Sequence, residues 1–509
     1  MSIIEFHPAN KDGHPCGYCK SSGYCSYGKF RTGMSAYQLN PDDYQKLIDR
    51  GWRRCGTYLY KTVMEKTCCP TFTIRCKALE IKPTRSQRKT LKRVSDFIVF
   101  GKTPKSTSNP GSDVCGSKIS SKFGHESPPR IPSNIPSAPM NPHDSSRTSS
   151  NQRIKKEETS IKPTECSIPI ENCESRVKTL TQLYPKERKA KFIRMKRKLN
   201  KMMDRRKCSE EDALAFMLQE RQDKLRKLEK SFEKFFGYSS PSKSPSHKIE
   251  FQYSLVNSRH DYPNFRESFE LYKKYQVDVH GDDPNEVTPS SFESFLIRNS
   301  FKNIEPFADQ SHGIPHRYGT YHMKYLLDGK LIAVSVLDIL PTSVSSVYFY
   351  YDRNYSFLSL GTYSAMREIL LVRELNAIKP DFENYYMGFY IHSCPKMRYK
   401  GQYNPSFLLC YQAFTWNRIE NCLSKLNAHK FPRLEPDLSV EDEESNNITD
   451  NDIQMLYFNP RNDDRKVINF SSLKKLNLVD VDNYDVHTYA KLIGRTLART
   501  MHFVVTPSI

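Results

Sequence analysis

The sequence predicts an α+β fold, and three observations carry the prediction. Between Tyr318 and Ile391 the pattern runs hairpin, strand, helix, strand, with period-2 alternation giving way once to helical periodicity. The first hundred residues hold a crowd of cysteines: Cys16, Cys19, Cys25, Cys55, Cys68, Cys69 and Cys76 out of 14 in the chain. Between these blocks the apolar content collapses, which divides the 509 residues into segments.

Composition excludes some functions before any motif is read. Only 37% of residues are hydrophobic and mean hydropathy is −0.68, so much of the length is not core. Net charge is +21 and the sequence pI is near 9.2, an excess that points to a polyanionic partner. No apolar run is long enough to span a bilayer, and the first ten residues lack the basic flank and apolar stretch of a secretory signal. The expectation is a reducing compartment, where cysteines serve as thiols or metal ligands rather than disulfides.

Residues 1–101 are expected to form a cysteine-rich domain. Cys16-Gly17-Tyr18-Cys19 is a C-x-x-C knuckle whose glycine lets the turn tighten, and Cys68-Cys69 follows about fifty residues later. Two such pairs make a four-sulfur site of the kind zinc or an iron–sulfur cluster uses. Cys25 and Cys76 are alternative ligands, and a thiol-rich core or redox pair is the competing reading. Thr71–Cys76 alternates like a strand. Ser86–Phe100 sets Leu91, Val94, Phe97 and Ile98 on one helical face, with Arg88, Lys89, Lys92 and Arg93 elsewhere, either for RNA phosphates or as a solvated surface.

Residues 102–178, rich in Ser, Pro, Asn, Thr and Lys, are expected to be a disordered linker, too poor in apolar side chains to offset chain entropy. Residues 179–247 read as a basic helical segment. Phe192, Met195, Leu199 and Met202 recur at three and four, as do Leu225, Leu228, Phe232 and Phe235, among many Lys and Arg. The expectation is one docked apolar stripe and one exposed basic stripe.

Residues 248–431 are the main domain. Phe251–Leu255 reads as a strand, Asn264–Tyr275 as a helix, Phe292–Ile297 as a short apolar piece and His312–Pro315 as a loop. Tyr318–Leu326 and Leu331–Ile339 form a hairpin about Asp328-Gly329, a turn of the primed type. Val344–Tyr351 is a third strand, Ser359–Ala377 a helix and Tyr385–Ile391 a fourth strand, ended by Pro395. This is the order of an N-acetyltransferase-like (GNAT) core. CoA is not expected, because Phe357–Ser364 has one glycine and lacks the Arg or Gln and second Gly that cradle a pyrophosphate. Lys396, Arg398 and Lys400 follow the fourth strand with Met397 and Tyr399 between them, a place to hold a carboxylate or phosphate. Residues 432–509 contain an acidic run, Val440–Asp452, expected to be disordered, and a final helix at Asp480–Arg495.

Several strings match a known family. Tyr385–Leu409, YYMGFYIHSCPKMRYKGQYNPSFLL, resembles the signature segment of the eukaryotic arginyl-tRNA–protein transferases. SYG at Ser26–Gly28, LIDRGWRR at Leu47–Arg54, TYLYK at Thr57–Lys61, CCPTFTIRC at Cys68–Cys76 and SQRKTLKR at Ser86–Arg93 look like that family's N-terminal domain. Phe30 stands where the family usually has Trp. The resemblance covers about two thirds of the chain, leaving out the linker and the tail after Trp416. It implies transfer of arginine from Arg-tRNA to the N-terminal α-amine of proteins starting with Asp, Glu or oxidised Cys. It further implies ubiquitin-dependent N-degron turnover, a cytoplasmic and nuclear location, a GNAT-like catalytic domain, and zinc or a [4Fe–4S] cluster at Cys16, Cys19, Cys68 and Cys69. A monomer with no membrane partner is expected.

The chemistry then assigns candidate roles. An aminoacyl ester is already activated, and a protein α-amine with a pKa of about 7.7–8.0 is partly neutral near pH 7. What remains is positioning and oxyanion stabilisation. Asp338, at the end of an apolar strand, is the first candidate for the donor guanidinium or attacking amine, with Glu374 and Asp352 behind it; capping the turn before Pro341 is its alternative role. Lys396, Arg398 and Lys400, with His392 as hydrogen-bond partner, are candidates for the acidic acceptor. Cys394 reads as a buried structural thiol rather than a nucleophile. Two rival functions are an acetyl-CoA-dependent N-acetyltransferase and a non-catalytic, metal-containing RNA-binding protein.

Overall fold

The hairpin at the heart of the chain forms where its turn chemistry dictates. Asp328 and Gly329 both take positive φ, 51° and 82°, the twist that joins Gly319–Leu327 to Lys330–Leu340 without splaying them. The Asp328 carboxylate accepts from the Lys248 backbone N–H at 2.7 Å, tying the neighbouring strand to the turn. Ser343–Tyr351 pairs antiparallel with the hairpin, the helix Leu360–Ile378 crosses over, and Asn384–Tyr390 returns parallel to Ser343–Tyr351. These elements match the sequence-derived bounds within a residue or so, giving a mixed α/β architecture with a cysteine cluster near the N-terminus.

The computed structural model describes residues 1–9, 16–19, 30–103, 190–217, 219, 232–238, 244–256, 258–302, 304–310, 313–459, 464–476 and 482–506. The linker expected at 102–178 falls almost wholly outside these residues, as do Cys25, Leu225, Leu228 and His312. Contacts divide the chain into one unit of Met1–Pro129 with Ser231–Ile509 and another of Arg130–Lys230. Within the second, Ala190–Arg206 forms a 17-residue helix free of Gly and Pro, inside the segment read as helical. Phe232–Phe235, expected to continue that helical pattern, is instead a 3-10 turn of the first unit, with Phe232 buried.

The first unit holds two sheets. In spatial order the larger runs Trp416–Arg418, Ser406–Leu409, Phe72–Lys77, Asn384–Tyr390, Ser343–Tyr351, Lys330–Leu340, Gly319–Leu327 and Ile249–Leu255. Phe72–Lys77 lies inside it, pairing antiparallel with both Asn384–Tyr390 and Ser406–Leu409. Residues 1–101 therefore do not stand as a separate domain: the strand after Cys69 completes the sheet of residues 248–431. The smaller sheet runs Asp464–Asn469, Gln454–Asn459, Met501–Val505, Ser2–His7, Arg31–Gln38, Tyr58–Thr62 and Arg53–Cys55, joining both ends of the chain.

The acidic run also differs from its expectation. Asp442 makes a two-pronged pair with Arg50, at 3.0 and 2.6 Å, and Asp452 accepts from Arg499 at 2.7 Å and from the Thr449 backbone at 2.9 Å. Its charges meet arginines distant in sequence, so the segment is ordered against the smaller sheet. The helix expected at Asp480–Arg495 spans Asn483–Ile493 and is followed by a short helical turn at Arg495–Ala498. Phe292–Ile297 is helical, as a turn at Pro289–Phe292 leading into a π-helical turn at Glu293–Ile297.

Candidate active site and cysteine centre

A cleft opens in the larger sheet where two parallel strands part. Asn384, Tyr385 and Tyr386 pair with Ser343, Val344 and Ser345, and the pairing stops there. Beyond it Phe389 and Tyr390 pair only with Thr73 and Phe72 on the other side, after a bulge that contains Gly388 at φ 70°. The glycine breaks the aromatic alternation of YYMGFY, and the bulge turns the strand away from Val347 and Tyr348. The resulting opening is a small cavity of about 60 Å³. Ser346 and Tyr348 line one side, Met387 and Gly388 the other, and Tyr385 and Tyr403 are also part of the lining.

A helix start and a lysine complete the cleft. Gly361, Ser364 and Ala365 belong to the first turns of Leu360–Ile378 and line it, so a helix N-terminus with its positive end is present. That start is held from behind: Arg93 Nη1 donates to the Phe357 carbonyl at 2.8 Å and to Ser359 Oγ at 3.0 Å. Arg93 lies on the helix Arg85–Phe100, whose Leu91, Val94, Phe97 and Ile98 are buried while Arg88, Lys89 and Lys92 are exposed. Lys400 lines the cleft, mostly buried, with Nζ donating to the Phe389 carbonyl at 2.9 Å.

The three cations after the fourth strand do not form one cluster. Pro395–Arg398 is a helical turn, continued by a 3-10 turn at Tyr399–Gln402. On a helix of about 3.6 residues per turn, alternate residues are separated by about 200°, so positions 396, 398 and 400 point in different directions. Lys400 enters the cleft. Arg398 folds back, donating from Nε at 2.9 Å and Nη2 at 2.6 Å to the His392 carbonyl, and Lys396 is exposed. The His392 ring bridges Tyr390 Oη and Asn427 Oδ1, each at 2.8 Å. Cys394 is buried at the start of the helical turn.

None of the three candidate carboxylates, Asp338, Glu374 and Asp352, is part of the cleft lining. Asp338 is fully buried between the two sheets, where Arg54 Nε donates to Oδ2 at 2.8 Å, Arg54 Nη2 to Oδ1, and Thr320 Oγ1 to Oδ1 at 2.9 Å. Glu374 pairs with Arg367 at 3.0 Å. Asp352 caps the turn Arg353–Leu358 and pairs with Lys274 at 2.9 Å, which holds its carboxyl below the usual range against the opposing effect of burial. The carboxylate that touches the cleft lining is Glu368, which the sequence reading missed. It accepts from Tyr385 Oη at 2.6 Å and Ser335 Oγ at 2.7 Å, and burial pushes its pKa up. The sequence signal was weak, because Glu368 is one of two glutamates in a helix that also carries Arg367 and Arg373.

Cys16, Cys19, Cys68 and Cys69 come together, with their sulfurs all within 4.8 Å of one another. Cys19 and Cys68 sulfurs lie 3.6 Å apart. Hydrogen bonding from Cys69 lowers the Cys16 pKa to about 4, while Cys69 is pushed up by that same partner, so Cys16 of this pair favours thiolate, the form that binds metal. The donor set and its spacing fit a metal. Cys76 is an unsuitable ligand, fully buried in the strand Phe72–Lys77 with its pKa raised by burial.

The comparisons with known proteins agree with this arrangement. The description "Arginine-tRNA-protein transferase, C terminus" matches residues 267–410, and the corresponding N-terminus description matches 14–89. The chain is 33% identical to arginyl-tRNA–protein transferase 1 of Drosophila melanogaster over 99% of both chains. It is 35% identical to arginyl-tRNA–protein transferase 1 of Arabidopsis thaliana over 82% of this chain and 73% of that one. Over 30% of its length, and 55% of the other, it is 34% identical to an aspartate/glutamate leucyltransferase of Pseudomonas putida. The chain belongs to the arginyl-tRNA–protein transferase family and is a transferase.

Proposed function

We propose that this chain moves arginine from Arg-tRNA to the N-terminal α-amine of proteins beginning with Asp, Glu or oxidised Cys, marking them for ubiquitin-dependent degradation in cytoplasm and nucleus. The chemistry takes place as a monomer, in a GNAT-like domain that uses no CoA. The observation that carries this reading is the opening between two parallel strands, which holds Lys400 and a helix N-terminus together. Lys400 receives the acidic side chain of the acceptor. The helix start offers backbone N–H groups to the oxyanion formed as the neutral amine attacks the ester. Asp338 and Glu374 have no part in this scheme, since Arg54 and Arg367 engage them.

The cysteines hold one zinc ion as a staple. A tetrahedral zinc with bonds to sulfur of about 2.3 Å separates its ligands by about 3.8 Å, within the spread of these four. A four-iron cube places each sulfur outward of its own iron and would hold them farther apart.

Incubation with labelled Arg-tRNA and peptides starting Asp or Ala tests the function. Transfer to the Asp peptide alone is expected, and equal transfer to both, or to neither, counts against it. Acetyl-CoA in a parallel reaction is expected to acetylate nothing.

A further inference from the structure

Glu368 is chemically out of place. Its side chain lies in the interior, 1% exposed, yet its partners are hydroxyl groups: Tyr385, Ser335 and Ser346. Burying a carboxylate is costly unless a cation or several donors compensate it. Asp338, buried to the same degree, has Arg54; the hydroxyl donors Tyr385, Ser335 and Ser346 favour the charged form of Glu368 against the opposing effect of burial. Two of its three partners, Tyr385 and Ser346, line the cleft. The carboxylate is thus one hydroxyl away from the space where substrate lies. A phenol that donates its proton to a carboxylate becomes a better acceptor for a cation on its other side.

We propose that Glu368 is a positioning residue that selects the donor: acting through Tyr385 and Ser346, its negative charge favours a cationic donor side chain, the guanidinium of arginine, in the cleft. This rests on the reading of the cleft as the arginine-transfer site. The rest of the lining is rich in aromatic side chains, Tyr348, Tyr385, Tyr399 and Tyr403, the residue type on which a flat cation stacks. Lys400 belongs to the acceptor in this scheme, so the two substrates are sorted by charge within one opening.

The test uses the full chain and tRNA loaded with arginine or with citrulline, which keeps the shape of arginine and lacks its charge. The wild-type protein is expected to prefer arginine in kcat/KM by 10-fold or more. Glu368→Gln keeps the size of the side chain and is expected to bring that preference below threefold, with the citrulline rate preserved, and Glu368→Asp is expected to restore part of it. Equal loss with both donors marks Glu368 as structural and overturns the proposal, as does an undiminished preference in Glu368→Gln. Should that variant fail to fold, Tyr385→Phe combined with Ser346→Ala decides: the pair leaves the charge and removes both paths to the cleft, so a weakened preference supports the proposal and an unchanged one overturns it. Wild-type protein inactive with Arg-tRNA would instead defeat the transferase reading.

Discussion

Arg54 and Asp338, 284 residues apart in sequence, form a buried ion pair that fastens the smaller sheet to the larger. Arg54 also donates to Thr320 Oγ1 at 2.6 Å and to the Gly56 carbonyl at 3.0 Å, so the guanidinium is satisfied by groups from both sheets. Removing one partner leaves the other charged and buried, which destabilises by about 3–5 kcal/mol. Asp338→Asn should therefore lower the urea unfolding midpoint strongly, and Arg54→Met with Asp338→Leu should recover much of the loss. Normal stability in Asp338→Asn together with abolished transfer would return Asp338 to the chemistry.

Lys400 and Lys396 provide a contrast within one helical stretch. Both are lysines, both follow the same strand, and only Lys400 lines the cleft. Truncating a buried charge that pairs with a substrate carboxylate costs about 2–5 kcal/mol of binding. Lys400→Met should lower kcat/KM for an Asp-initiated peptide by about 10²-fold or more, and Lys396→Met by less than about threefold. Steady-state kinetics with both variants checks this. Comparable losses would mean that the helical turn is rearranged when substrate binds.

What could be read in the sequence was local. Asp328-Gly329 announces its own turn, the helix Leu360–Ile378 its own start, and the cysteine pairs their own convergence. What could not be read depends on partners remote in sequence. Phe72–Lys77 alternates like any strand, and nothing in it says that its neighbours are Asn384–Tyr390 and Ser406–Leu409. Val440–Asp452 looks like a solvated acidic loop until Arg50 is set beside Asp442. Asp338 ends an apolar strand as a site residue would, and only the fold reveals Arg54. The cations at 396, 398 and 400 look like a row when read as extended chain, and Pro395 starts a helical turn that separates them.

Lys61 should give stability a measurable pH dependence. Burial brings its pKa down from 10.5 to about 7, helped by the positive charge of Arg50. Its Nζ sits 3.4 Å from the Leu492 carbonyl and 4.8 Å from the centre of the Phe414 ring. Between pH 7 and 10.5 the unfolded chain binds the proton and the folded one does not, so this residue's contribution to stability rises with pH across that window. Below pH 7 the penalty is complete. Lys61→Met removes it and should stabilise the protein at pH 7 by on the order of 2 kcal/mol, with the advantage fading toward pH 10. Denaturant midpoints of the two proteins at several pH values test the sign. An advantage that grows with pH refutes it.

The cysteine centre couples to the cleft through packing. Cys16 and Cys69 are buried in the same apolar cluster as Phe389, Ile391 and Met397, and Met397 also lines the cleft. A metal that fixes the four sulfurs therefore fixes one wall of that cluster, and binding it contributes to folding because the unfolded chain has no such site. Cys16→Ser and Cys69→Ser should each lose bound zinc, lower the melting temperature and weaken transfer. Cys55→Ser is the control: that thiol is also buried, with its pKa pushed up to about 12, but lies outside the four. Metal analysis of the three purified variants separates the cases. Zinc retained in Cys69→Ser would exclude that ligand. Iron and sulfide in place of zinc in the wild-type protein would replace the single-ion reading with a cluster.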